Sequence, residues 1–410
     1  MSRPKDLPST LQTWASGNYA AGPAWGGTAK RQAGAVTELT PGVTLPAEIE
    51  NYLHGNAFDL AESLLVATGQ SPAINWLPKS SSTHNLKRGA FCAKNQTWYL
   101  VGDGGADFLD ASPDFGRSWV SLTGSLGSVL VLIDAACDTA GNVVLVGYGS
   151  RSIYKGTYVS QASTTWAATA NALSVSPTQS VSIDFEPTSA KFVTTYRNGV
   201  LGHKVDWSAN GTVWSPGTLP ANWTAYTGTN NPEIACIAGQ SVAVFVDATT
   251  PRYNAMYSTD GGNTWANANI APSISGANLA AQSTISKPTY DSVTGTWYFA
   301  VSSVSGTRQT EVWSSTNPAG GVWTRKYYSS LSDIVMQDLQ AIGTLLVASN
   351  DDGRIVFSVD GGVSWKWCAC NPGTTTRTFL RAAQGGLLMT NAPDKAIFSS
   401  MRIGNGGLAV

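Results

Sequence analysis

Three acidic residues recur in one local setting and could do chemistry. Asp114, Asp260 and Asp360 each lie in a segment that reads S-x-D-x-G-x-[ST]-W. A repeated carboxylate beside a hydroxyl could bind calcium or act as a general acid or base. The same spacing also suits a tight turn, in which the Asp and Ser side chains bond backbone amides and Gly takes a positive φ angle. We expect the turn, placed on an outer rim, to be the role of these acids.

The eight-residue segment occurs three times in full, which is very improbable by chance. The shared residues are Ser112, Asp114, Gly116 and Trp119; Ser258, Asp260, Gly262 and Trp265; and Ser358, Asp360, Gly362 and Trp365. Weaker copies end at Trp166, Trp214 and Trp323, and the copy before Trp214 has Asn210 in place of the acid. With Trp76, which lacks a preceding segment, the seven tryptophans follow one another at intervals of 42 to 58 residues.

Each interval also contains short apolar runs separated by Gly, Asn and Asp turns, which is typical of an all-β fold. The interval matches one four-stranded blade of a propeller. Only three strands are predicted after Trp365, and the strand around Trp76 is left over near the start. Pairing these strands would close a ring without exposed edges. The sequence therefore predicts a seven-bladed β-propeller over residues 57–410, closed by an N-terminal strand.

The repeated segment resembles the Asp-box, or BNR repeat, of sialidase-like propellers. That resemblance implies three arginines around a substrate carboxylate, a Tyr–Glu pair and an acid/base Asp, with the first Arg in an Arg-Ile-Pro-like motif. No such motif occurs here, and Glu186 and Glu233 lack a nearby Arg and Tyr pattern. His54, His84 and His203 share no metal-ligand spacing. We therefore expect no catalytic residues, no metal site and no cofactor, and leave the ligand unassigned.

Composition excludes several partners. The net charge of −1 provides no basic field for nucleic acid, and no apolar run approaches the roughly 18 residues that span a bilayer. The N-terminus lacks the apolar core of a secretory signal. The five cysteines are scattered, and we expect them to be small buried core residues.

Residues 1–56 do not fit the repeat and have too little apolar content for a core of their own. A short helix is predicted to begin at Pro46. This arm resembles the N-terminal part of tailed-phage virion proteins such as tail fibres. The residues that carry the resemblance are Trp14, Trp25, Pro46, Ala47, Glu48, Asn51, Tyr52 and Leu53. It implies that residues 1–56 form an extended arm that docks to other virion proteins.

The main hypothesis is a structural component of a phage tail, fibre or neck, made in the host cytoplasm and oligomeric in the particle. Its propeller would bind virion proteins or host surface glycan, and Tyr253, Tyr257, Tyr327 and Tyr328 would suit sugar stacking. The alternatives are a sialidase-like glycan-processing enzyme and a bacterial assembly scaffold. Arginines and carboxylates clustered at the centre of the propeller would support the enzyme, whereas an apolar channel would count against it.

Overall fold

A computed structural model gives the architecture of the chain. It describes residues 30–32, 35–38, 76–81, 85–103, 108–113, 118–122, 126, 131–149, 153–160, 163–170, 172–177, 181–198, 202–220, 232–247, 252–270, 283–303, 308–329, 334–352, 354–367, 378–383, 386–391 and 396–400. The chain divides into two compact units, residues 1–70 and 71–410. The predicted boundary after residue 56 lies outside the described residues and stays a prediction.

The first unit contains a short antiparallel hairpin that the sequence did not predict. Strands β1 (Lys30–Gln32) and β2 (Ala35–Glu38) pair with Gln32 opposite Ala35. The predicted helix from Pro46 lies outside the described residues. Among the described residues there is no α-helix, and one 3-10 turn covers Pro318–Gly320.

The second unit is built of four-stranded and five-stranded antiparallel sheets. It begins with β3 (Trp76–Ser81). Blade 1 contains β4 (Asn85–Cys92), β5 (Thr97–Asp103), β6 (Phe108–Ser112) and β7 (Val120–Ser121). Blade 2 contains β8 (Val131–Cys137), β9 (Val143–Tyr148), β10 (Ile153–Ser160) and β11 (Ser163–Thr169). Blade 3 contains β12 (Val181–Glu186), β13 (Lys191–Asn198), β14 (Gly202–Ser208) and β15 (Ser215–Pro216).

The next three blades follow the same plan. Blade 4 contains β16 (Glu233–Ile237), β17 (Gln240–Asp247), β18 (Arg252–Ser258) and β19 (Ala266–Ile270). Blade 5 contains β20 (Ser283–Ile285), β21 (Thr289–Asp291), β22 (Thr296–Ser303), β23 (Gln309–Asn317) and β24 (Val322–Ser329). Blade 6 contains β25 (Met336–Ile342), β26 (Leu345–Asn350), β27 (Ile355–Ser358) and β28 (Lys366–Trp367).

The predicted count of seven blades is corrected to six blades of consecutive strands, because the remaining sheet is of a different kind. That composite sheet joins β29 (Thr378–Ala383), β30 (Gly386–Asn391) and β31 (Ala396–Ser400) to β3. Its closing pair is antiparallel, with Trp76 opposite Ser400, as expected for the strand around Trp76. The composite sheet is described through its backbone pairing and the side chains of Leu380 and Arg381.

The hydrophobic core lies between adjacent blades. Val242, Val244 and Val246 of β17 alternate along the strand and pack with Trp297 and Phe299 of β22 in the next blade. The intervening side chains of β17, such as Phe245, pack toward blade 3. Both faces of β17 are buried, so blade 4 is sandwiched between blades 3 and 5.

The first strands of neighbouring sheets contact one another: β4 with β8, β8 with β12, β12 with β16, β25 with β29, and β29 with β4. Each forms one edge of its own sheet in the strand order. The first strands therefore surround the axis of the second unit, and side chains that point away from the blades meet there.

Candidate functional site

The axis is filled by charged side chains from six of the surrounding sheets. We name this group the axial cluster. Its members are Arg88 of β4, Asp134 of β8, Glu233 of β16, Lys287 between β20 and β21, Asp338 of β25 and Arg381 of β29. Three cations and three carboxylates give the cluster no formal net charge. Such balance is what burial of ionic groups requires, since an unpaired buried charge is strongly unfavourable.

Ion pairs in the axial cluster cross the axis rather than joining neighbours alone. Arg88 of blade 1 makes a bidentate pair with Glu233 of blade 4, with Nη2 at 2.5 Å from Oε1. Arg381 donates from Nη1 to Asp338 Oδ2 at 2.9 Å. Lys287 donates to the Ile183 carbonyl at 2.8 Å and lies 3.4 Å from Asp134 Oδ2. These bonds span the centre from several directions, so the side chains occupy the axis.

The aspartates near the axis also connect neighbouring first strands. Asp134 accepts the N–H of Ala135 in its own strand at 3.0 Å and that of Ile183 in the next first strand at 3.2 Å. Asp338 repeats this with the N–H groups of Leu339 and Leu380, at 3.0 and 3.2 Å. Neighbouring first strands belong to different sheets and are not paired by a backbone ladder. The aspartate carboxylates provide hydrogen bonds between them instead.

Asp184 makes the same pair of bonds on blade 3. It accepts the N–H of Phe185 and the N–H of Cys236 in blade 4, both at 2.9 Å. Two residues further along the same strand, Glu186 accepts the N–H groups of Thr188 and Ser189 and that of Gly239 in blade 4, between 2.6 and 2.8 Å. Glu186, one of the two glutamates considered for sialidase chemistry, therefore accepts hydrogen bonds from backbone amides and from the Ser189 hydroxyl.

The electrostatics of the axial cluster favour ionised side chains where several cations meet. Burial alone would raise the pKa of Asp134, but Lys287, Arg381 and Arg88 together hold it below its ordinary value. Burial raises the pKa of Glu233 despite its pair with Arg88. Asp134 and Asp338 are 0% exposed and Glu233 is 3% exposed. An acid or base must reach its substrate to transfer a proton, and these carboxylates face protein groups instead.

The repeated segments found in the sequence, here named box turns, connect the third and fourth strands of a blade. Ser258 Oγ donates to Asp260 at 2.8 Å and accepts the Gly262 N–H at 3.0 Å. Asp260 accepts the N–H groups of Asn263 and Thr264, each at 2.9 Å. Trp265 Nε1 donates to the Gly262 carbonyl at 2.9 Å. The second described box turn, Ser358 to Trp365, makes the same bonds.

The degenerate copies keep the turn with altered chemistry. Asn210 accepts the N–H groups of Thr212 and Val213, each at 2.9 Å, in the place that Asp260 occupies in its turn. Asn317 accepts the Gly320 N–H at 3.0 Å and caps the 3-10 turn. In the first full copy Ser112 is buried and Trp119 is half-buried, while Asp114 and Gly116 lie outside the described residues.

The glycines of the described box turns and of the copy before Trp214 pack against the preceding blade. A Cβ atom added at Gly262 of blade 4 would lie 2.7 Å from Val193 Cγ1 of blade 3. At Gly211 of blade 3 the same atom would lie 2.7 Å from Val144 of blade 2. Both glycines have positive φ angles, +85° and +71° respectively. The glycine is therefore needed for the turn and for the close contact between blades.

The remaining predicted residues are dispersed. Tyr253 is buried, Tyr257 and Tyr327 are half-buried, and Tyr328 is 40% exposed. His203 is buried against Phe245, with ring centroids 4.5 Å apart.

The predicted docking residues, Trp14, Trp25, Pro46, Glu48, Asn51, Tyr52 and Leu53, lie outside the described residues, as do His54 and His84.

The sequence did not predict a disulfide between two of the cysteines. Cys92 and Cys137, the last residues of β4 and β8, form one between blades 1 and 2; Cys92 is a buried core residue as expected, and Cys137 is half-buried. Burial raises the pKa of the Cys236 thiol. Within the described ranges, no group of three or more His, Cys, Asp or Glu could hold a metal ion, and no helix is long and apolar enough to cross a membrane.

Sequence reasoning missed five of the six axial residues. Glu233 was noticed, but its partner Arg88 lies 145 residues away. A usable signal exists: most first strands carry a charged residue inside an apolar run, as in VLIDAAC, VMQDLQAI and TFLRAA. In a chain with only 12% charged residues, charges in such strands are unusual enough to mark the axis.

Comparison with known proteins identifies the fold. No protein-family model matches the chain, and no curated protein matches its sequence. The structure is similar to YCF48 from Cyanidioschyzon merolae, with 12% identity, 79% of this chain and 98% of that chain covered, and a TM-score of 0.56. YCF48 bound to D1 peptide is 13% identical, with 80% of this chain and 96% of that chain covered and a TM-score of 0.55. Virginiamycin B lyase from Staphylococcus aureus is 10% identical, with 80% of this chain and 98% of that chain covered and a TM-score of 0.56. At these identities the likeness establishes a β-propeller and no particular activity.

Proposed function

We propose that this chain is a non-catalytic structural component of a tailed-phage virion, which docks through residues 1–56 and displays its propeller for binding. The observation that carries the non-catalytic part is the axial cluster. Its three carboxylates are buried and bonded to cations or backbone amides, which suits a rigid carrier. The Trp-containing arm with its Pro46 to Leu53 motif supports the virion setting. The box turns support membership of the Asp-box class of propellers.

Binding of a protein partner is supported by one related fold. YCF48, a propeller similar to this chain, has been solved bound to D1 peptide, so a propeller of this kind can hold a peptide. Host surface glycan is the other proposed ligand. Tyr328 offers an exposed aromatic ring for it, held by a 2.8 Å bond from Gln309 to its hydroxyl. Copies of this chain in the particle would present several such surfaces together.

Deletion of residues 1–56 tests the virion role. We expect the remaining chain to fold with a cooperative thermal transition but to be absent from purified particles. The measurement is quantitative mass spectrometry of particles formed when either form is supplied to a phage that lacks its own copy. Full-length protein supplied in the same way is the matched control. Normal incorporation of the truncated chain would exclude docking through this arm.

A second candidate function, a sialidase-like enzyme, is favoured by one observation. Arginines and carboxylates do lie at the centre of the propeller, which was the feature expected of such an enzyme. We expect purified full-length protein to release no product from fluorogenic sialosides or from complex glycans, because the carboxylates are enclosed. Turnover that disappears in the Glu233→Gln variant, with the fold retained, would establish the enzyme and overturn the non-catalytic proposal.

A further inference from the structure

Three cations from three different sheets converge on one carboxylate at the axis. Asp134 Oδ2 lies 3.4 Å from Lys287 Nζ and 4.0 Å from Arg88 Nη1, while Oδ1 lies 3.9 Å from Arg381 Nη2. No other carboxylate of the axial cluster has cations from three sheets within 4.0 Å among the described residues.

Neutral donors complete the surroundings of Asp134. Ser182 Oγ and the Ile183 N–H both donate to Oδ2 at 3.2 Å, and the Ala135 N–H donates to Oδ1 at 3.0 Å. Three cations and three neutral donors around a fully buried carboxylate have the composition of an anion-binding site. The carboxylate here is the protein's own.

The two other acids cannot take over this role, because each already has a close partner. Glu233 forms the bidentate pair with Arg88, and Asp338 accepts from Arg381 Nη1 at 2.9 Å. Arg381 Nη2 is buried and makes no hydrogen bond to a described residue, and its nearest carboxylate is Asp134. Without Asp134 the cluster would hold three cations and two carboxylates, which leaves one buried positive charge uncompensated.

We propose that the centre of the propeller is a binding site for a small monocarboxylate, which the chain fills with its own Asp134. Removal of this side chain converts the site into a receptor for formate or acetate from solution. The cations and neutral donors around this carboxylate come from blades 1, 2, 3 and 5 and from the composite sheet, so the carboxylate links five sheets. This inference concerns the propeller alone and is independent of the virion role.

Chemical rescue of two variants tests the proposal. Asp134→Ala removes a group the size of formate, and Asp134→Gly removes one the size of acetate. We expect thermal unfolding of the Ala variant to shift upward by at least about 2–4 °C in sodium formate, with a saturable dependence on concentration. The shift should be smaller in acetate and absent in sodium chloride of equal ionic strength. In the Gly variant the preference should move toward acetate.

Two controls separate this effect from general salt stabilisation. Wild-type protein should not respond to formate, because its site is filled. Asp260→Ala removes the same group from a box turn whose donors are neutral, and it should not respond either. Equal responses of wild type and Asp134→Ala would overturn the proposal.

Folding of the variants does not limit the test. If Asp134→Ala folds only when formate is present during refolding, that outcome supports the site. If it fails to fold with and without formate, while Asp134→Asn folds, the cavity cannot accept the anion and the proposal is wrong.

Discussion

The box turns and the axial cluster stabilise the same propeller in opposite ways. The side-chain hydrogen bonds within a full box turn join residues at most four positions apart, as where Asp260 accepts the Thr264 N–H. In the axial cluster Arg88 and Glu233 are 145 positions apart, and Lys287 and Asp134 are 153 apart. The turns are partly exposed and their acids bond neutral donors, whereas the cluster is buried and consists of charges. Local turns can therefore form early and independently, while the cluster forms only when all the sheets are in place.

Cooperativity between distant sheets in this fold resides at the axis rather than in the box turns. The loss of one box turn loosens the contact between two blades. The loss of one axial charge leaves its partner buried without compensation and affects sheets on opposite sides of the axis. We therefore expect substitutions at the axis to lower the free energy of unfolding more than substitutions at the rim.

Replacement of Arg88 by methionine should give the largest loss. The variant keeps much of the side-chain volume but leaves the Glu233 carboxylate buried without its bidentate partner. We expect the free energy of unfolding, measured by urea denaturation, to fall by about 3–5 kcal/mol.

The double variant Arg88→Met with Glu233→Gln supplies the matched control. It should lose less than Arg88→Met alone, because no uncompensated carboxylate remains. If Arg88→Met were as stable as the wild-type protein, the ion pair would contribute nothing to stability. The axis would then not be more sensitive to substitution than the rim.

Substitution of two box-turn glycines by alanine should rank next, with unequal effects. Both Gly262 and Gly362 have positive φ angles, +85° and +86°, which cost alanine about 1–2 kcal/mol. At Gly262 the new Cβ would also lie 2.7 Å from Val193, which adds about 1–3 kcal/mol of overpacking. At Gly362 the nearest atoms lie at 3.3 Å or beyond.

Thermal and urea unfolding should therefore show Gly262→Ala to be the less stable variant. Equal losses would mean that only the turn conformation matters, and that the box turns do not join neighbouring blades.

Contacts between residues close together in the chain could be predicted from the sequence, whereas the long-range axial contacts could not. Ser258, Asp260, Gly262 and Trp265 form their turn with one another, so a local pattern was enough to predict it. The pairing of Trp76 with the last strand was predictable because the repeat leaves one strand unmatched at each end. The axial pairs were not predictable, since spacing along the chain says nothing about which of several strands brings its charge opposite another. The hairpin of β1 and β2 was missed because three-residue and four-residue strands leave almost no periodic signal.

Acidification should reveal a third type of buried polar group, located between blades 3 and 4. Burial lowers the pKa of His203 to about 3, with Arg197 adding to the shift. Between the ordinary value near 6.5 and about 3, the unfolded chain binds a proton that the folded chain does not. The contribution of His203 should therefore leave the free energy of unfolding at its full value above pH 6.5. Below pH 6.5 it should lower that free energy by at most about 1.4 kcal/mol per pH unit.

Urea unfolding at pH values from 4.5 to 7 checks this slope against His203→Gln, which lacks the titrating group. If both proteins lose stability in parallel over this range, the loss arises from other groups and burial of His203 does not control it.

The smallest effect should come from the box-turn acid, and the protein itself provides the comparison. Asp260→Ala removes the acceptor of the Asn263 and Thr264 N–H groups, and we expect it to lower the free energy of unfolding by about 1 kcal/mol. Asp260→Asn should lose clearly less, because Asn210 makes the equivalent bonds in blade 3. Urea denaturation of the two variants beside wild type measures the difference. If Asn proves as harmful as Ala, the negative charge at this position matters. The box turns would then depend on charge as the axial cluster does. The distinction between turns held by neutral local donors and a cluster held by long-range ion pairs would be wrong.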